Sequence, residues 1–467
     1  MSELGETTSI VAEPEQPKEE EKKVKIRYCV FFDGTLNNRT NIDQRLISVS
    51  EDKLTDEERK AAADLKMKMT IEDLEKTKGI YKKYEGVGSY ENGYTNVVKM
   101  ERHVDTSARP AGYQLMLKTY IEGPGTRDKK SDKMFGYALG TGVSGIKNKV
   151  EQGVVDVVKK VKANHLDKET RVEKLTLDVF GFSRGAAAAR NFIHEALLEA
   201  KSVEQQLKDN GYKVDKVEVC FAGLFDTVSS HGLSFSNDTS TLNLDAVSHA
   251  KEVVQLAAAD EHRENFSLTT IKSAGGNGRE IYLPGVHSDV GGSYRDGASE
   301  DQDIYWTMGV HGEEEAGKQI EELVAAGWYT KNEITLKRSI HDRGGKHTVK
   351  EVNLHATRNG IHSHYSRIPL HIMAKYARDN NIIFKGDLDR DEKIPSELGT
   401  AQQEIQQYVA GHDSKGSFSS KASHWHGNSI SWLPRVRHDY FHFSARLEFG
   451  NGPRFIDGKR QRMTYDG

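Results

Sequence analysis

Short apolar runs, each ending at a glycine or a small polar residue, recur along the first 300 residues of this 467-residue chain. Runs of this length predict strands, and the most apolar of them fit the middle of a sheet. Between them, valines and isoleucines recur at helical spacing from Ile146 to Val161, which predicts an amphipathic helix. Strands that alternate with helices indicate an α/β fold with a mostly parallel sheet and helices on both faces. We predict strands at Val24–Phe32, Gln114–Gly123, Leu175–Val179, Lys213–Leu224 and Arg279–Val286, and a short strand or helix at Val253–Ala259.

The same pattern divides the chain into three parts. Residues 1–23 are rich in Glu, Lys and Pro and predict a disordered tail. Residues 24–300 predict the core of the fold, interrupted at about 48–105 by a charged, helix-prone segment that predicts a helical insertion. Residues 301–467 are less regular and predict a C-terminal cap or lid that also completes the core. Within this last part we predict two helices, Glu313–Tyr329 and His364–Asn380, and a hairpin of Lys331–Ile340 with Thr348–Leu354.

Composition narrows the function classes. The formal net charge of −4 argues against nucleic-acid binding through bulk electrostatics. No apolar run reaches the roughly 18 residues that a membrane-spanning helix needs. The first 23 residues lack the apolar segment of a Sec signal peptide, so we expect synthesis in the cytoplasm, with specialised export still open. Two cysteines, Cys29 and Cys220, provide no disulfide framework, and we expect both to be buried thiols.

A Gly-x-Ser-x-Gly motif stands between a predicted strand and a strongly helix-forming segment. Gly181-Phe182-Ser183-Arg184-Gly185 follows the strand Leu175–Val179 and precedes a run of four alanines. Strand, motif and helix in this order are the context of a nucleophile elbow, which exposes the serine hydroxyl at the carboxyl edge of a sheet. We therefore predict Ser183 as a nucleophile. The alternative is a tight turn that holds an incidental serine.

Two further strand ends carry the side chains that a serine nucleophile needs. Asp226 follows one predicted strand and His287 follows another. The order Ser, Asp, His along the chain is that of α/β-hydrolases, in which the histidine is the general base and the aspartate orients it. Asp289 is a rival for the acid, a supporting residue, or with His287 a metal ligand, although two adjacent ligands are few for a catalytic metal. Other histidines compete for the role of base: His262, His362, His364, His371 and His442.

An oxyanion hole is predicted at the end of the first strand. The backbone N–H of Arg184 and those of Gly34 and Thr35 are the expected donors, and Asp33 is a possible supporting residue. The alternative for this loop is a turn capped by Asp33. We expect no cofactor and no metal. The glycine-rich segment 136–145 lacks the Gly-Lys-Ser/Thr ending of a phosphate-binding loop.

Four blocks of this sequence resemble a known bacterial family. They are FFDGTLNN at 31–38, GFSRGAAAAR at 181–190, GLFDTVSS at 223–230 and PGVHSDVGGSY at 284–294. Together they are similar to uncharacterised-domain family 2235, which includes the class-one type VI secretion lipase effectors. Past residue 300 the resemblance is loose.

The resemblance implies an α/β-hydrolase core and phospholipase A activity on glycerophospholipids of a membrane. By position it implies Ser183 as nucleophile, Asp226 as acid and His287 as base. It also implies a spike or tube protein as carrier, delivery to the periplasm of a target cell, and a cognate immunity protein. A lipase needs an apolar patch or lid, and the candidates are residues 137–143 and the loop with Trp425 and Trp432, whose tryptophans could instead pack on the core. Two other functions stay open: a serine hydrolase of another ester or an amide, and a non-catalytic α/β protein.

Overall fold

A parallel sheet forms the centre of the molecule. The computed structural model describes residues 21–132, 145–164, 166–229, 239–342, 348–426, 429–447 and 451–467. The strands up to residue 283 are β1 (Lys23–Phe32), β2 (Leu115–Ile121), β3 (Arg171–Phe182), β4 (Lys213–Val214), β5 (Val217–Phe225), β6 (Ala250–Ala258), β7 (Leu268–Thr269) and β8 (Gly278–Leu283). All of these except β7 belong to one sheet of order β2-β1-β3-β5-β6-β8, in which β4 pairs with β3 and every pairing is parallel.

The α/β class with a mostly parallel sheet, predicted from the sequence, is therefore confirmed. The segment predicted as a strand or helix at Val253–Ala259 is the strand β6, and β3 continues past its predicted end to Phe182. The single strand predicted at Lys213–Leu224 is divided into β4 and β5.

Helices cover both faces of this sheet. In the part of the chain before β9 they are α1 (Arg39–Ser48), α2 (Asp56–Lys66), α3 (Ile71–Tyr84), α4 (Gly88–Glu91), α5 (Asn96–His103), α6 (Ile146–Ala163), α7 (Arg184–Leu197), α8 (Val203–Asp209) and α9 (His287–Gly291), with 3₁₀ helices at Glu51–Lys53, Leu244–His249 and Lys272–Asn277. The segment 48–105, for which the sequence predicts an insertion, carries α2 to α5. Among the described helices, none is both long and apolar enough to cross a bilayer.

Alternation along β1 assigns each side chain to one of two hydrophobic cores. Cys29 and Phe31 pack in the core that also contains Met100 of α5, whereas Tyr28 and Val30 pack in the core that contains the valines of α6 and the alanines of α7. Both cores are fully buried at these positions. The central strands are apolar on both faces because helices cover both.

The C-terminal part adds a second, antiparallel sheet and further helices. Its order is β10-β11-β9, formed by β9 (Ala298–Met308), β10 (Ile334–Asp342) and β11 (Thr348–Ile361). The helices here are α10 (Gly312–Ala325), α11 (Arg367–Asp379), α12 (Leu388–Asp391), α13 (Gly399–Gly411) and α14 (Leu433–Tyr440), with 3₁₀ helices at Lys331–Glu333, His364–Ser366, Ser396–Leu398 and Ala422–His426. Of the short strands, β12 (Phe455–Ile456) pairs with β13 (Lys459–Arg460), and β14 (Thr464–Tyr465) pairs with β7.

Two sequence expectations about this part are settled by burial and pairing. The hairpin of β10 and β11 is present, but it is joined by β9, which the sequence did not predict. Trp425 and Trp432 are buried and donate hydrogen bonds to the Tyr282 carbonyl and to Glu404, each at 2.8 Å. They therefore pack within the protein. The other lid candidate, residues 137–143, lies outside the described residues, as do residues 1–20 of the predicted tail.

The order of the strands brings the predicted site residues to one edge of the sheet. From β1 the chain passes to β2 on one side and then returns to β3 on the other side. In open parallel sheets, ligands bind at the carboxyl ends of the strands where the order reverses in this way. The carboxyl ends of β1 and β3 carry the loop from Asp33 and the turn at Ser183.

Candidate active site

Ser183 occupies a strained turn between β3 and α7. Its backbone angles are φ 58° and ψ −127°, in a region that residues other than glycine rarely adopt. The Ser183 N–H donates to the Phe225 carbonyl at 3.0 Å, which holds the turn against β5. A Cβ at Gly185 would lie 2.2 Å from the Asp33 carbonyl oxygen, so only glycine permits this close approach. The turn has the geometry that the motif predicts.

Asp226 and His287 meet at the carboxyl edge of the same sheet. Asp226 directly follows β5 and His287 is the first residue of α9. The Nδ1 atom of His287 lies 2.5 Å from Oδ2 of Asp226, and both side chains are buried. The backbone N–H of Ala258 donates to the other carboxylate oxygen, Oδ1, at 2.8 Å. The two strand-end residues that the sequence predicted as acid and base are thus brought together.

Arg462 is a third member of this buried cluster, and the sequence analysis did not predict it. Its guanidinium donates to Oδ1 of Asp226 at 2.6 Å and to Oδ2 at 2.8 Å. Burial would raise the pKa of Asp226, but the charge of Arg462 and the hydrogen bond from His287 outweigh it, so the pKa lies below its usual value. Asp226 is therefore held ionised.

The imidazole of His287 contacts two aromatic rings. The ring centroid of Phe182 is 4.6 Å from that of His287, and that of Phe266 is 5.1 Å away on an edge-to-face approach. The His287 backbone N–H donates to the buried carboxylate of Glu261 at 3.2 Å. Burial lowers the pKa of His287 below its ordinary value, although Asp226 opposes the shift through its hydrogen bond and charge. The ring is thus oriented and kept in its neutral form.

Phe182 connects the segments that carry the predicted site. Its ring packs against that of His287 with an angle of 34° between the two planes, and a Cβ placed on Gly34 or on Gly291 would lie 2.6 Å or 2.0 Å from the same ring. Since Phe182 immediately precedes Ser183, this ring positions the elbow, the loop after β1 and the helix α9 together. Among the described residues no hydrogen bond within 3.5 Å joins the Ser183 hydroxyl to His287. Catalytic hydrogen bonds are often long before substrate binds.

The loop after β1 centres on a buried carboxylate. Asp33 accepts hydrogen bonds from the Gly34 N–H at 2.8 Å, the Thr95 hydroxyl at 2.7 Å and the Tyr120 hydroxyl at 2.6 Å. Burial nevertheless raises the pKa of Asp33 to about 6. The Gly34 N–H is therefore engaged by Asp33, whereas the Thr35 hydroxyl is buried and has no hydrogen-bond partner among the described residues.

Asp289 belongs to a different pair. Its carboxylate accepts from Nδ1 of His442 at 3.0 Å and from the backbone N–H of Val286 at 3.0 Å, the latter at the start of α9. It is not the partner of His287 Nδ1, which bonds to Asp226. Asp289 instead caps the helix that His287 begins, and His442 stacks on Tyr294 with 3.6 Å between ring centroids.

The other candidate histidines have partners away from Ser183. Nδ1 of His262 lies 2.8 Å from the Asp260 carbonyl, and Nε2 of His371 lies 2.7 Å from the Glu392 carbonyl. In the described part of the chain, three groups of side chains have the spacing of metal ligands, and none of the three includes Ser183, Asp226 or His287. These groups are Asp296 with His362 and His364, His103 with Asp387 and Asp391, and His194 with Glu195 and Glu199.

Comparison with known proteins adds evidence on the family. A protein-family model matches residues 194–309. It is described as the catalytic domain of Tle1-like phospholipase effectors of the type VI secretion system (T6SS). This segment contains Asp226 and His287 and begins after Ser183. The resemblance to type VI lipase effectors is confirmed. No curated protein matches this chain.

Solved structures support the fold. The structure of the Tle1 effector bound to the VgrG spike of the type 6 secretion system aligns with a TM-score of 0.59 at 21% sequence identity. The alignment covers 95% of this chain and 89% of that chain, so the two share their fold over nearly the whole length. A crystal structure of an uncharacterized protein from Pseudomonas aeruginosa aligns with a TM-score of 0.39 at 16% identity, over 87% of this chain and 52% of that one, and we draw nothing from it.

Proposed function

We propose that this chain is a serine-dependent phospholipase A that uses Ser183, Asp226 and His287 as its catalytic triad. The observation that carries the proposal is the contact of Phe182 with His287. Phe182 directly precedes Ser183, which has a positive φ, and its ring centroid lies 4.6 Å from that of His287, whose Nδ1 bonds to Asp226. A neutral, oriented imidazole next to a strained serine is the arrangement for acyl transfer.

In the proposed reaction His287 removes the proton from Ser183, and Oγ attacks the carbonyl carbon of an acyl ester. The tetrahedral intermediate carries its negative charge on the former carbonyl oxygen. We assign the stabilisation of this charge to the Arg184 N–H at the start of α7 and to Thr35, since the Gly34 N–H is engaged by Asp33. His287 then protonates the leaving alcohol. Water, activated by His287, hydrolyses the acyl-serine and releases a fatty acid.

Asp226 keeps Nδ1 of His287 protonated, so that Nε2 is the atom that accepts the proton. Arg462 supports this role because it holds the carboxylate ionised. Asp33 and Asp289 are proposed as supporting residues, the first behind the oxyanion loop and the second at the start of α9. None of these steps requires a metal.

A phospholipid substrate is favoured by the family match. The matching model describes phospholipase effectors, and it covers the segment that contains the proposed acid and base. We further propose export by a type VI secretion system into the periplasm of a target cell, with a spike protein as carrier and an immunity protein in the producer. The carrier is supported by the solved relative with the same fold, which is bound to a spike.

The test is hydrolysis of a glycerophospholipid whose two acyl chains carry different labels. We expect the wild-type protein to release labelled fatty acid from vesicles, and the identity of the label gives the ester bond that is cut. The matched control is Ser183→Ala, which removes only the nucleophilic oxygen and should release neither label. Release by Ser183→Ala at the wild-type rate would contradict the triad, and hydrolysis of only short soluble esters by wild type would favour a different ester substrate.

A further inference from the structure

Asp296, His362 and His364 bring three potential metal ligands together at the surface, outside the proposed active site. Nδ1 of His362 lies 3.1 Å from Oδ1 of Asp296, and Nε2 of His364 lies 3.7 Å from the same oxygen. The His362 and His364 rings are nearly parallel, with an angle of 12° between their planes. The Ser363 N–H donates to Oδ1 of Asp296 at 3.0 Å, which fixes the carboxylate between the two rings.

A fourth ligand comes from a distant part of the chain. Glu57, in the first turn of α2, places Oε1 3.1 Å from Nε2 of His364. Zinc bonds to nitrogen and oxygen of about 2.0–2.2 Å imply edges of about 3.3–3.6 Å between the ligand atoms of a tetrahedron. The measured separations of 3.1, 3.7 and 3.1 Å bracket this range. The ligand atoms of Asp296, His362 and His364 all lie within 4.8 Å of one another. Glu57 is outside this group and is near His364 alone, so its side chain has to move to become the fourth ligand.

The charges around this cluster also favour a cation. Among the described residues no lysine or arginine forms an ion pair with Asp296, whose charged or titratable partners are the two imidazoles. Arg367 pairs with Glu57, so a metal would have to share this carboxylate with a guanidinium. In contrast, Asp391 of the His103 group already pairs with Lys60 and Arg390. The His194 group lies within and just after α7 and draws on one segment only.

We propose that Asp296, His362, His364 and Glu57 form a binding site for a divalent transition-metal ion of the zinc class. Two imidazoles and two carboxylates are ligands that Zn²⁺ accepts in tetrahedral geometry. The site joins α2 to the segment after α9 and to the turn between β11 and α11. A bound ion would therefore fasten α2, within the predicted insertion, to the segment that follows His287.

The experiment is a calorimetric titration of Zn²⁺ into the tag-free, metal-free full chain. We expect one ion to bind wild type, and His362→Gln/His364→Gln to weaken this binding by more than about 100-fold, since loss of an outer partner alone costs about 10- to 100-fold. The matched control is His103→Gln, which changes a histidine of another acidic cluster and should bind as wild type does. Equal binding by the double variant and wild type, or binding lost in His103→Gln, would overturn the proposal.

A second measurement does not depend on variants. Co²⁺ in a four-coordinate site absorbs visible light far more strongly than Co²⁺ in water, so wild type should gain intense bands at one equivalent. Hydrogen exchange in residues 56–66 should slow when Zn²⁺ is added to wild type and stay unchanged in the double variant. Weak, six-coordinate Co²⁺ bands or exchange in α2 that ignores Zn²⁺ would contradict the site.

Discussion

The guanidinium of Arg462 donates two hydrogen bonds to the carboxylate of Asp226, one to each oxygen, at 2.6 and 2.8 Å. The same carboxylate also accepts hydrogen bonds from Nδ1 of His287 and from the backbone N–H of Ala258, so each of its oxygens has two partners. Bidentate pairing of an arginine with a carboxylate fixes both position and angle. In the proposed enzyme the direction of the His287 ring thus depends on a residue 236 positions from Asp226.

Arg462→Gln should lower kcat by at least about tenfold, which corresponds to about 1.4 kcal/mol of activation free energy. The variant removes the charge that holds the pKa of Asp226 low, so that pKa should rise. Because the reaction needs ionised Asp226, the loss of activity on acidification should begin at a higher pH than in wild type. Arg462→Lys keeps a cation and should restore part of the rate. A pH profile of Arg462→Gln identical to that of wild type would argue for a purely structural role.

Asp226→Asn should reduce kcat by about 10⁴-fold, since an amide donates where the carboxylate accepts and so favours the wrong tautomer of His287. Asp289→Asn is the matched comparison. It changes a carboxylate that contacts His442 and the start of α9, and it should cost activity far less. Both variants are measured with one ester substrate at saturating concentration. A larger loss in Asp289→Asn than in Asp226→Asn would show that the acid is misassigned.

Ser183→Gly should abolish ester hydrolysis and at the same time stabilise the fold. The residue adopts φ 58°, where glycine is unstrained, and relief of such strain is worth about 1 kcal/mol or more. Ser183→Ala removes the same hydroxyl but keeps the strained backbone, so its free energy of unfolding should stay near that of wild type. Urea unfolding of the three proteins checks this. Equal stability of the glycine and alanine variants would mean that the turn stores no strain.

The acid limb of the pH profile should lie below pH 6.5. A general base works only when unprotonated, so activity is present above the pKa of His287 and is lost as the pH falls through it. Burial lowers this pKa from its ordinary value of 6.5, with Asp226 opposing the shift. The measurement is kcat/KM for a soluble ester from about pH 4.5 to about pH 8, with the ionic strength held constant. A midpoint above 6.5 would contradict a buried, desolvated base.

Asp178→Ala should destabilise the protein by about 3–5 kcal/mol, since it leaves the charge of Arg27 buried without a partner. The two side chains bridge β1 and β3 through hydrogen bonds of 2.7 and 2.9 Å, and both are buried. Replacing both with apolar residues, as in Arg27→Met/Asp178→Leu, should cost much less. Denaturant unfolding of both variants provides the test. Equal losses of unfolding free energy would show that the unpaired charge of Arg27 does not cause the destabilisation of Asp178→Ala.

Much of the site could be predicted because it lies at strand ends. Parallel strands place their carboxyl ends at one edge, so the Gly-x-Ser-x-Gly motif, the three strand-end positions and their order along the chain predict that Ser183, Asp226 and His287 lie together. Asp289 does not pair with His287 because both lie on α9, where residues two apart point in different directions. A helix of five residues shows no periodic pattern of apolar residues, so the sequence could not predict it. Arg462 could not be predicted. It stands among other basic residues, and only the three-dimensional fold brings it to Asp226.

The limits on the fold prediction have similar causes. β9 carries the acidic residues Glu300, Asp301 and Asp303 and so lacks the apolar character of the central strands, which explains why its pairing with β11 was missed. The tryptophans at 425 and 432 stand in a polar stretch of sequence, yet their indole N–H groups reach buried acceptors. The sequence analysis allowed either a lid or packing on the core for these two side chains, and their burial shows that they pack on the core.

The distance in sequence between Arg462 and Asp226 also determines when each residue of the site is synthesised. A ribosome adds residues from the N-terminus, so Ser183, Asp226 and His287 are all made before Arg462. After Arg462 comes β14, whose pairing with β7 holds this last segment beside the central sheet. A nascent chain therefore carries the proposed nucleophile, acid and base while the carboxylate still lacks its cation. In the proposed phospholipase, the site is therefore complete only after translation has passed residue 462.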